Sequence, residues 1–262
     1  MEDNILATLM IVTYNRLELT KRTFEKALSN AGCSYNLVIV DNNSEDDTVS
    51  WLKENCKNEY IKNIIIKPLS VNKGICYGRN MGLKLYDENF NTPYLCTLDN
   101  DVELPDNWLV NCCNVLQYNK NMGACGVNLE NVKYPLVKVK SGNCQQGIQI
   151  KSTGNLGTAC EVFPTEIRNK LGFFDFELKQ YSHEDALWGW RIRMLKKNLC
   201  YLEEDGIHLG VGDLDSGEYR EMKDKYWKLN MPIFERKIRL YANGLKALYC
   251  KFEDYDLDIE IK

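Results

Sequence analysis

The chain has 262 residues, 44% hydrophobic and 27% charged, with a net charge of −4. Those values fit one soluble globular domain, or a domain with an appendage, and give no general electrostatic case for binding nucleic acid. No run approaches the roughly 18–20 apolar residues that span a bilayer, and the acidic start Met1-Glu2-Asp3-Asn4 lacks the basic region of a secretory signal, so a cytoplasmic protein, at most peripheral to a membrane, is expected.

Ile5–Thr13 is an apolar, β-branched run that predicts a buried strand. Leu17, Thr20, Phe24 and Leu28 then recur at helical spacing, and Gly32 closes that element. Asn36–Asp41 predicts a second strand, and Ser44 is placed to cap a helix carrying Val49 and Leu52. A third strand over Ile61–Lys67 stops at Pro68, a helix follows over Gly74–Asp87, and Tyr94–Leu98 is the fourth strand. A helix to about Asn119 and a strand over Met122–Val127 come next. Residues 132–157, rich in Gly, Gln, Asn, Ser and Lys, read as short strands and loops. Pro164–Leu171 and Glu184–Lys197 are expected helices, Cys200–Leu202 a short strand, and residues 218–249 helical, ahead of an acidic tail. The 11 cysteines include no Cys-x-x-Cys pair, and with only His183 and His208 present a thiolate zinc site is poorly supported; buried free thiols are the expectation.

Strands alternating with helices over the first hundred residues predict an α/β fold with a mainly parallel central sheet flanked by helices. Ligands of such sheets collect outside the carboxyl ends of the strands. Three polar clusters sit at those ends: Thr13-Tyr14-Asn15, Asp41-Asn42-Asn43 and Asp99-Asn100-Asp101. In an extended segment Asp99 and Asp101 point to the same side and can converge on one divalent cation, leaving coordination positions for a phosphate substrate and water. Acidic pairs after strands are also common turn formers, and the triplet by itself leaves both readings open.

Ile11-Val12-Thr13-Tyr14-Asn15-Arg16, Val40-Asp41-Asn42-Asn43-Ser44, the Asn72 to Asn80 segment with Gly74 and Arg79, Leu98-Asp99-Asn100-Asp101-Val102, and His183-Glu184-Asp185 follow one another in this order. Together they resemble the inverting glycosyltransferases of family 2, which have the GT-A fold, over roughly residues 5 to 210. The resemblance implies a GT-A domain over residues 1–215 and a C-terminal helical extension over 216–262. It further implies that Thr13, Tyr14, Asn15, Arg16 and Asp41 meet the nucleoside of a nucleotide-sugar donor, usually a uridine. Asn72, Gly74, Arg79, Asp99 and Asn100 would belong to the same donor site. Asp101 and Asp99, with His208 as a third ligand, would hold Mn²⁺ or Mg²⁺ against the diphosphate. Asp185 would be the catalytic base and Glu184 would orient the acceptor.

Local alternatives accompany these roles. Asn15 is a reasonable helix N-cap, acidic residues favour helix N-termini regardless of catalysis, and Arg79 has a solvated alternative. Glu103 shares the parity of Asp101 and is a candidate for a water-mediated contact, while Trp188 and Trp190 can stack on a sugar face or pack in the core. The expected activity is metal-dependent, inverting sugar transfer, most readily from a UDP-sugar to a cell-surface glycan or its lipid-linked precursor. A protein or modified nucleic-acid acceptor is an alternative. Residues 226–239 offer aromatic and basic side chains for a membrane contact or for ordinary helix packing. A nucleotidylyltransferase, which usually carries a glycine-rich basic loop after its first strand, and a non-catalytic sugar-nucleotide binder are the rival readings.

Overall fold

The structure is a computed structural model that describes residues 5–130, 141–143, 148–157, 159–178, 180–209 and 217–253. Much of the expected variable segment at 132–157, the proposed domain boundary near 215 and the acidic tail from 254 therefore lie outside the described residues.

The four leading strands form as the sequence predicts: β1 (Ala7–Thr13), β2 (Tyr35–Asp41), β3 (Ile61–Pro68) and β4 (Tyr94–Asp99). They run parallel in the order β3-β2-β1-β4, with Thr13 level with Asp41 and Val12 level with Asp99, so their polar carboxyl ends share one edge. β1 and β2 are buried almost throughout, which is why they read as continuous apolar runs and not as alternating ones. β3, at the sheet edge, is largely exposed and stops at Pro68.

Helices α1 (Leu17–Thr23), α2 (Thr48–Asn55) and α3 (Gly74–Asn89) make the crossovers. α1 passes into a π-helical turn over Phe24–Leu28 and ends there, short of Gly32. α2 begins after Asp47 with no side-chain cap; Ser44, the predicted cap, is committed to Asp41 instead. α3 packs across β1 and β2 so closely that a Cβ on Gly78 would lie 2.7 Å from Val12 Cγ1.

Beyond β4 the sheet becomes mixed. β5 (Val102–Glu103), α4 (Trp108–Tyr118), β6 (Met122–Leu129), β7 (Ser141–Asn143), β8 (Gln149–Thr153), β9 (Cys160–Pro164), α5 (Thr165–Leu171), α6 (Glu184–Met194), β10 (Asn198–His208) and α7 (Glu218–Ala242) complete the described elements. The strand order continues β4-β9-β6-β10-β8-β7; β9 is antiparallel to both β4 and β6, and β10 is parallel to β6. β10 is far longer than the expected Cys200–Leu202 strand. Its register against β6 shifts between Leu202 and Asp205, and past that irregularity Ile207 and His208 pair with Glu103 and Val102 of β5. His208 therefore ends a strand.

Two apolar layers cover the sheet. One gathers Phe24, Leu28, Trp108, Cys112 and Leu116 with β1, β2 and β6; the other gathers Leu83, Phe163, Phe174, Trp188 and Ile192. The ten described cysteines are all unpaired and eight are buried, matching the expectation of free thiols. Among the described residues no helix is long and apolar enough to cross a membrane.

α7 is fastened to the body by ions buried in apolar surroundings. Lys237, fully buried, lies 2.9 Å from Asp175 Oδ2, which also accepts from Lys246 at 3.0 Å and from the Tyr241 hydroxyl at 2.8 Å. Burial pushes the Asp175 carboxyl up, but the lysine hydrogen bonds and charges outweigh it and bring it down to about 2. Removing Lys237 takes the fully buried cation from Asp175 and leaves it only the partly buried Lys246 and the Tyr241 hydroxyl, so Lys237→Ala is expected to cost about 3 kcal/mol. Urea unfolding of wild type and variant tests this, and equal midpoints would show that α7 is held by its apolar face instead.

Candidate active site

The carboxyl ends of β1 and β4, the end of β10, the start of α6 and the first turns of α7 enclose a cleft of about 400 Å³. That size suits a small-molecule ligand. Thr13, Tyr14, Arg16, Asn72, Gly74, Arg79, Asp99, Asn100, Asp101, Glu184, Asp185 and His208 all line it. Asn15 and Asp41 do not.

The floor begins with the acidic triplet. Asp99 closes β4, but Asn100 and Asp101 form a turn, so the extended-strand argument for their convergence does not hold. The turn and His208 bring the groups together instead. Ligand atoms of Asp99, Asp101 and His208 all lie within 4.8 Å of one another, with His208 Nε2 3.5 Å from Asp101 and 3.9 Å from Asp99. Burial and the charge of Asp99 push Asp101 up against the pull of His208 and Arg16. Asp99 is held at about 2, because His208 and Arg79 outweigh its desolvation. Burial pulls His208 down, but the two carboxylates overcome this and raise it. Two hard carboxylate oxygens and an imidazole form a donor set that fits Mn²⁺ or Mg²⁺. Glu103, the parity candidate, faces away and pairs with Arg22 at 2.7 Å.

Arg79 ties this floor to α6. Its Nη2 lies 2.9 Å from Asp99 Oδ1, and its Nη1 pairs with Glu184 Oε1. Arg79 is only 5% exposed, so the solvated alternative is not what forms. Burial and the neighbouring Asp185 push Glu184 up to about 7 despite Arg79. Glu184 is buried, whereas Asp185 is partly exposed on the cleft wall, its Oδ1 accepting from the Ala186 amide at 2.6 Å. His183, which precedes the pair, packs between Trp227 and Phe234 of α7, with ring centroids 5.5 and 5.2 Å away.

On the other side, Thr13 Oγ1 donates to Asp41 Oδ1 at 2.9 Å. Ser44 closes the same carboxylate through its hydroxyl and its amide. Asp41 is buried beneath the cleft, and its neighbour Asn42 takes the lining position. Asn15 bridges loops, receiving the Glu45 amide and donating its own to Ser44. Arg16 pairs with Asp101 at 3.1 Å and lies 4.9 Å from the centre of the Tyr219 ring. Asn100 donates to Thr20, bracing the triplet turn on α1. Asn72 accepts the Gly74 amide at 2.9 Å; Gly74 has φ +81°, and a Cβ there would lie 2.5 Å from Gln180 Cα.

Backbone conformation marks the same region. Asn15, Arg16, Asn43, Gln180, Ser182 and His183 all have positive φ, an arrangement that costs energy in non-glycine residues and collects at functional sites. Trp188, offered as a sugar platform, is fully buried and stacked on Phe174 at 4.5 Å, so it belongs to the core.

The profile of glycosyl transferase family 2 matches residues 8–151, more than half of the chain. The chain belongs to glycosyl transferase family 2. Its fold is that of the GT-A glycosyltransferases, as solved structures show. The mannosyltransferase PcManGT from Pyrobaculum calidifontis, in complex with GDP-Man and Mn²⁺, superposes with a TM-score of 0.61 at 13% identity, over 82% of this chain and 59% of that one. GalNAc-T7 with UDP, GalNAc and Mn²⁺ gives 0.58 at 12% identity, over 79% and 44%. S. aureus TarS 1–349 gives 0.55 at 15% identity, over 79% and 59%. This family 2 chain thus spans about half the length of the solved chains it matches. No curated protein matches it.

Sequence reasoning placed Asn42 in a strand-end cluster without a role of its own and missed Gln180, Tyr181, Tyr219 and Lys223; all five line the cleft. Gln180 and Tyr181 immediately precede the His183-Glu184-Asp185 motif and were within reach of a local reading. Tyr219 and Lys223 arrive only through the packing of α7. If Arg79 holds the two acidic groups together, Arg79→Met should cost about 3–5 kcal/mol of stability. The loss should be largest at alkaline pH, where Glu184 and Asp99 are both ionised, and should shrink as Glu184 is protonated. Denaturant midpoints across pH test this, and a pH-independent loss would assign the effect to packing.

Proposed function

We propose that this family 2 member is a metal-dependent, inverting hexosyltransferase that takes its sugar from a UDP-linked donor. The observation that carries the reading is one cleft holding the Asp99–Asp101–His208 group and the Glu184–Asp185 pair, joined by Arg79. Nucleotide-sugar transfer needs both parts: a place for the diphosphate and a carboxylate for the acceptor proton. UDP with Mn²⁺ in GalNAc-T7 and GDP-Man with Mn²⁺ in the mannosyltransferase support the donor class and the metal.

In this reading Thr13, Tyr14 and Arg16 flank the nucleoside, with Asp41 shaping that wall from below. Asn72, Gly74 and Asn100 shape the donor side of the cleft. Asp99, Asp101 and His208 would hold Mn²⁺ or Mg²⁺, which when bound supplies positive charge to the diphosphate leaving group. Asp185, exposed to the cleft, takes the acceptor proton as the acceptor oxygen attacks the anomeric carbon from the face opposite the leaving diphosphate. Glu184, tied to Arg79, orients this end of α6 and the acceptor.

For the acceptor we propose a cell-surface glycan or its lipid-linked precursor, reached from the cytoplasmic side. Trp227 and Leu229, each about half exposed on α7 beside Lys225 and Lys228, support a peripheral membrane contact.

Asp185→Asn is expected to lower transfer by roughly 10²–10⁴-fold while sugar-nucleotide binding stays near wild type. Near-normal turnover would remove Asp185 as base. EDTA is expected to abolish activity and Mn²⁺ or Mg²⁺ to restore it, with nucleoside diphosphate as the co-product; pyrophosphate release would indicate nucleotidyl transfer instead. Ligation requires neutral His208, and the carboxylates raise its pKa, so Mn²⁺ affinity should fall as the pH drops through that raised value. His208→Gln should weaken Mn²⁺ by more than roughly tenfold and flatten this pH dependence, as titration calorimetry would show.

A further inference from the structure

Both carboxylates of the Asp99–Asp101–His208 group face an arginine, and the two pairings are built differently. Arg79 reaches Asp99 from α3, is buried, and is held on its other side by Glu184. It is a fixed part of the floor. Arg16 reaches Asp101 with a single nitrogen, Nη1 to Oδ2 at 3.1 Å, and this is its one side-chain hydrogen bond among the described residues. Its side chain is 21% exposed and lines the cleft, so the other N–H groups of its fork are available to a ligand there.

The backbone of Arg16 is anchored while the fork is not. Arg16 sits at φ +64° as the N-cap of α1, and its carbonyl accepts the Leu19 and Thr20 amides at 3.1 Å. Beyond its contact with Asp101, the guanidinium lies 4.9 Å from the centre of the Tyr219 ring, a contact that tolerates sliding. Asp101 meanwhile divides its oxygens. Oδ2 is the one Arg16 takes, and Oδ1 is the one 3.5 Å from His208 Nε2.

Charge decides what this pairing does. Asp99 and Asp101 offer a divalent cation two negative charges, and the two arginines cancel both. A guanidinium on a ligand oxygen also repels the ion at short range, in a site poorly screened by water. The Lys223 ammonium of α7 adds to this, because its charge bears on both Asp101 and His208. A diphosphate reverses the balance. It brings the negative charge that the site lacks, and its oxygens suit the planar fork of an arginine. Arg16 has donors to spare for it, whereas Arg79 is committed to Asp99 and Glu184.

We propose that Arg16 is a counter-cation of Asp101 that weakens metal binding until a nucleoside diphosphate enters the cleft, so that metal and donor load together. The Arg16 fork then turns to the diphosphate oxygens and releases Asp101 to act as a ligand. This rests on the metal-dependent reading of the same cleft, and gives Arg16 a task beyond flanking the nucleoside.

Titration calorimetry on the full chain, with Mn²⁺, UDP and uridine as probes, tests this without turnover. Wild type should bind Mn²⁺ alone weakly, and saturating UDP should tighten it by more than about tenfold, with the same factor in the reverse order. Arg16→Gln should bind Mn²⁺ alone roughly tenfold tighter, and the tightening by UDP should shrink by a similar factor. Arg16→Lys keeps the charge and should retain the weak metal site and most of the coupling. Uridine, which has no phosphate, should bind wild type and Arg16→Gln equally well. A folded Arg16→Gln that binds Mn²⁺ alone no tighter than wild type overturns the proposal. So does a loss of uridine binding with the Mn²⁺–UDP coupling intact, which makes Arg16 a nucleoside contact only. A wild type that binds neither Mn²⁺ nor UDP, alone or together, overturns the metal-dependent transferase reading itself.

Discussion

A single buried cation organises this site. Arg79 projects from α3 between the end of β4 and the start of α6, touching Asp99 with one nitrogen and Glu184 with the other. Without it, those carboxylates would face each other across a low-dielectric gap, where repulsion is much stronger than in water. Its rigid fork suits two carboxylates at once, which a lysine ammonium would not match. The consequence is that the triplet end and the α6 end of the cleft are mechanically one unit. A change of charge on the triplet is felt at Glu184 through one shared partner.

The C-terminal helix has a similar status. α7 extends beyond the segments that resemble the family, yet it brings Tyr219 and Lys223 to the cleft and Trp227 against His183. What keeps it there is Lys237 in the Asp175 carboxylate, reinforced by Lys246 and Tyr241. A buried ion pair is a poor source of net stability, but it is directional, and it fixes the helix in one register where an apolar stripe would tolerate sliding. Asn230 adds a second directional tie, donating to the Tyr181 carbonyl beside the cleft. Directional ties at its middle and in its C-terminal part place the helix start over the cleft.

The local backbone is also enlisted. Ser182 and His183 hold positive φ immediately before α6, and Gln180 does so where it meets Gly74. These conformations aim Glu184 inward to Arg79 and leave Asp185 on the cleft wall. Adjacent residues with the same functional group thereby receive different environments: Glu184 is pushed to about 7 by burial while Asp185 stays partly exposed. That division is the basis for assigning them different proposed tasks.

Much of this was legible in the chain itself. Buried parallel strands announce themselves as unbroken apolar runs, because both faces are covered, and the polar residues ending β1, β2 and β4 therefore mark a common edge. The acidic triplet was readable as a metal-site candidate from its place at the end of an apolar strand, whereas Arg79 and the Glu184-Asp185 pair took their expected roles from the resemblance to the family. Tertiary structure decided the partners. Asp41 was readable as a strand-end carboxylate, but only the fold shows Thr13 and Ser44 saturating it. His208 was visible as a lone histidine, but the register shift in β10 is what carries it to Asp99 and Asp101. Periodicity along a chain reports which faces are buried; which charges meet depends on contacts between residues a hundred positions apart, and no local pattern encodes them.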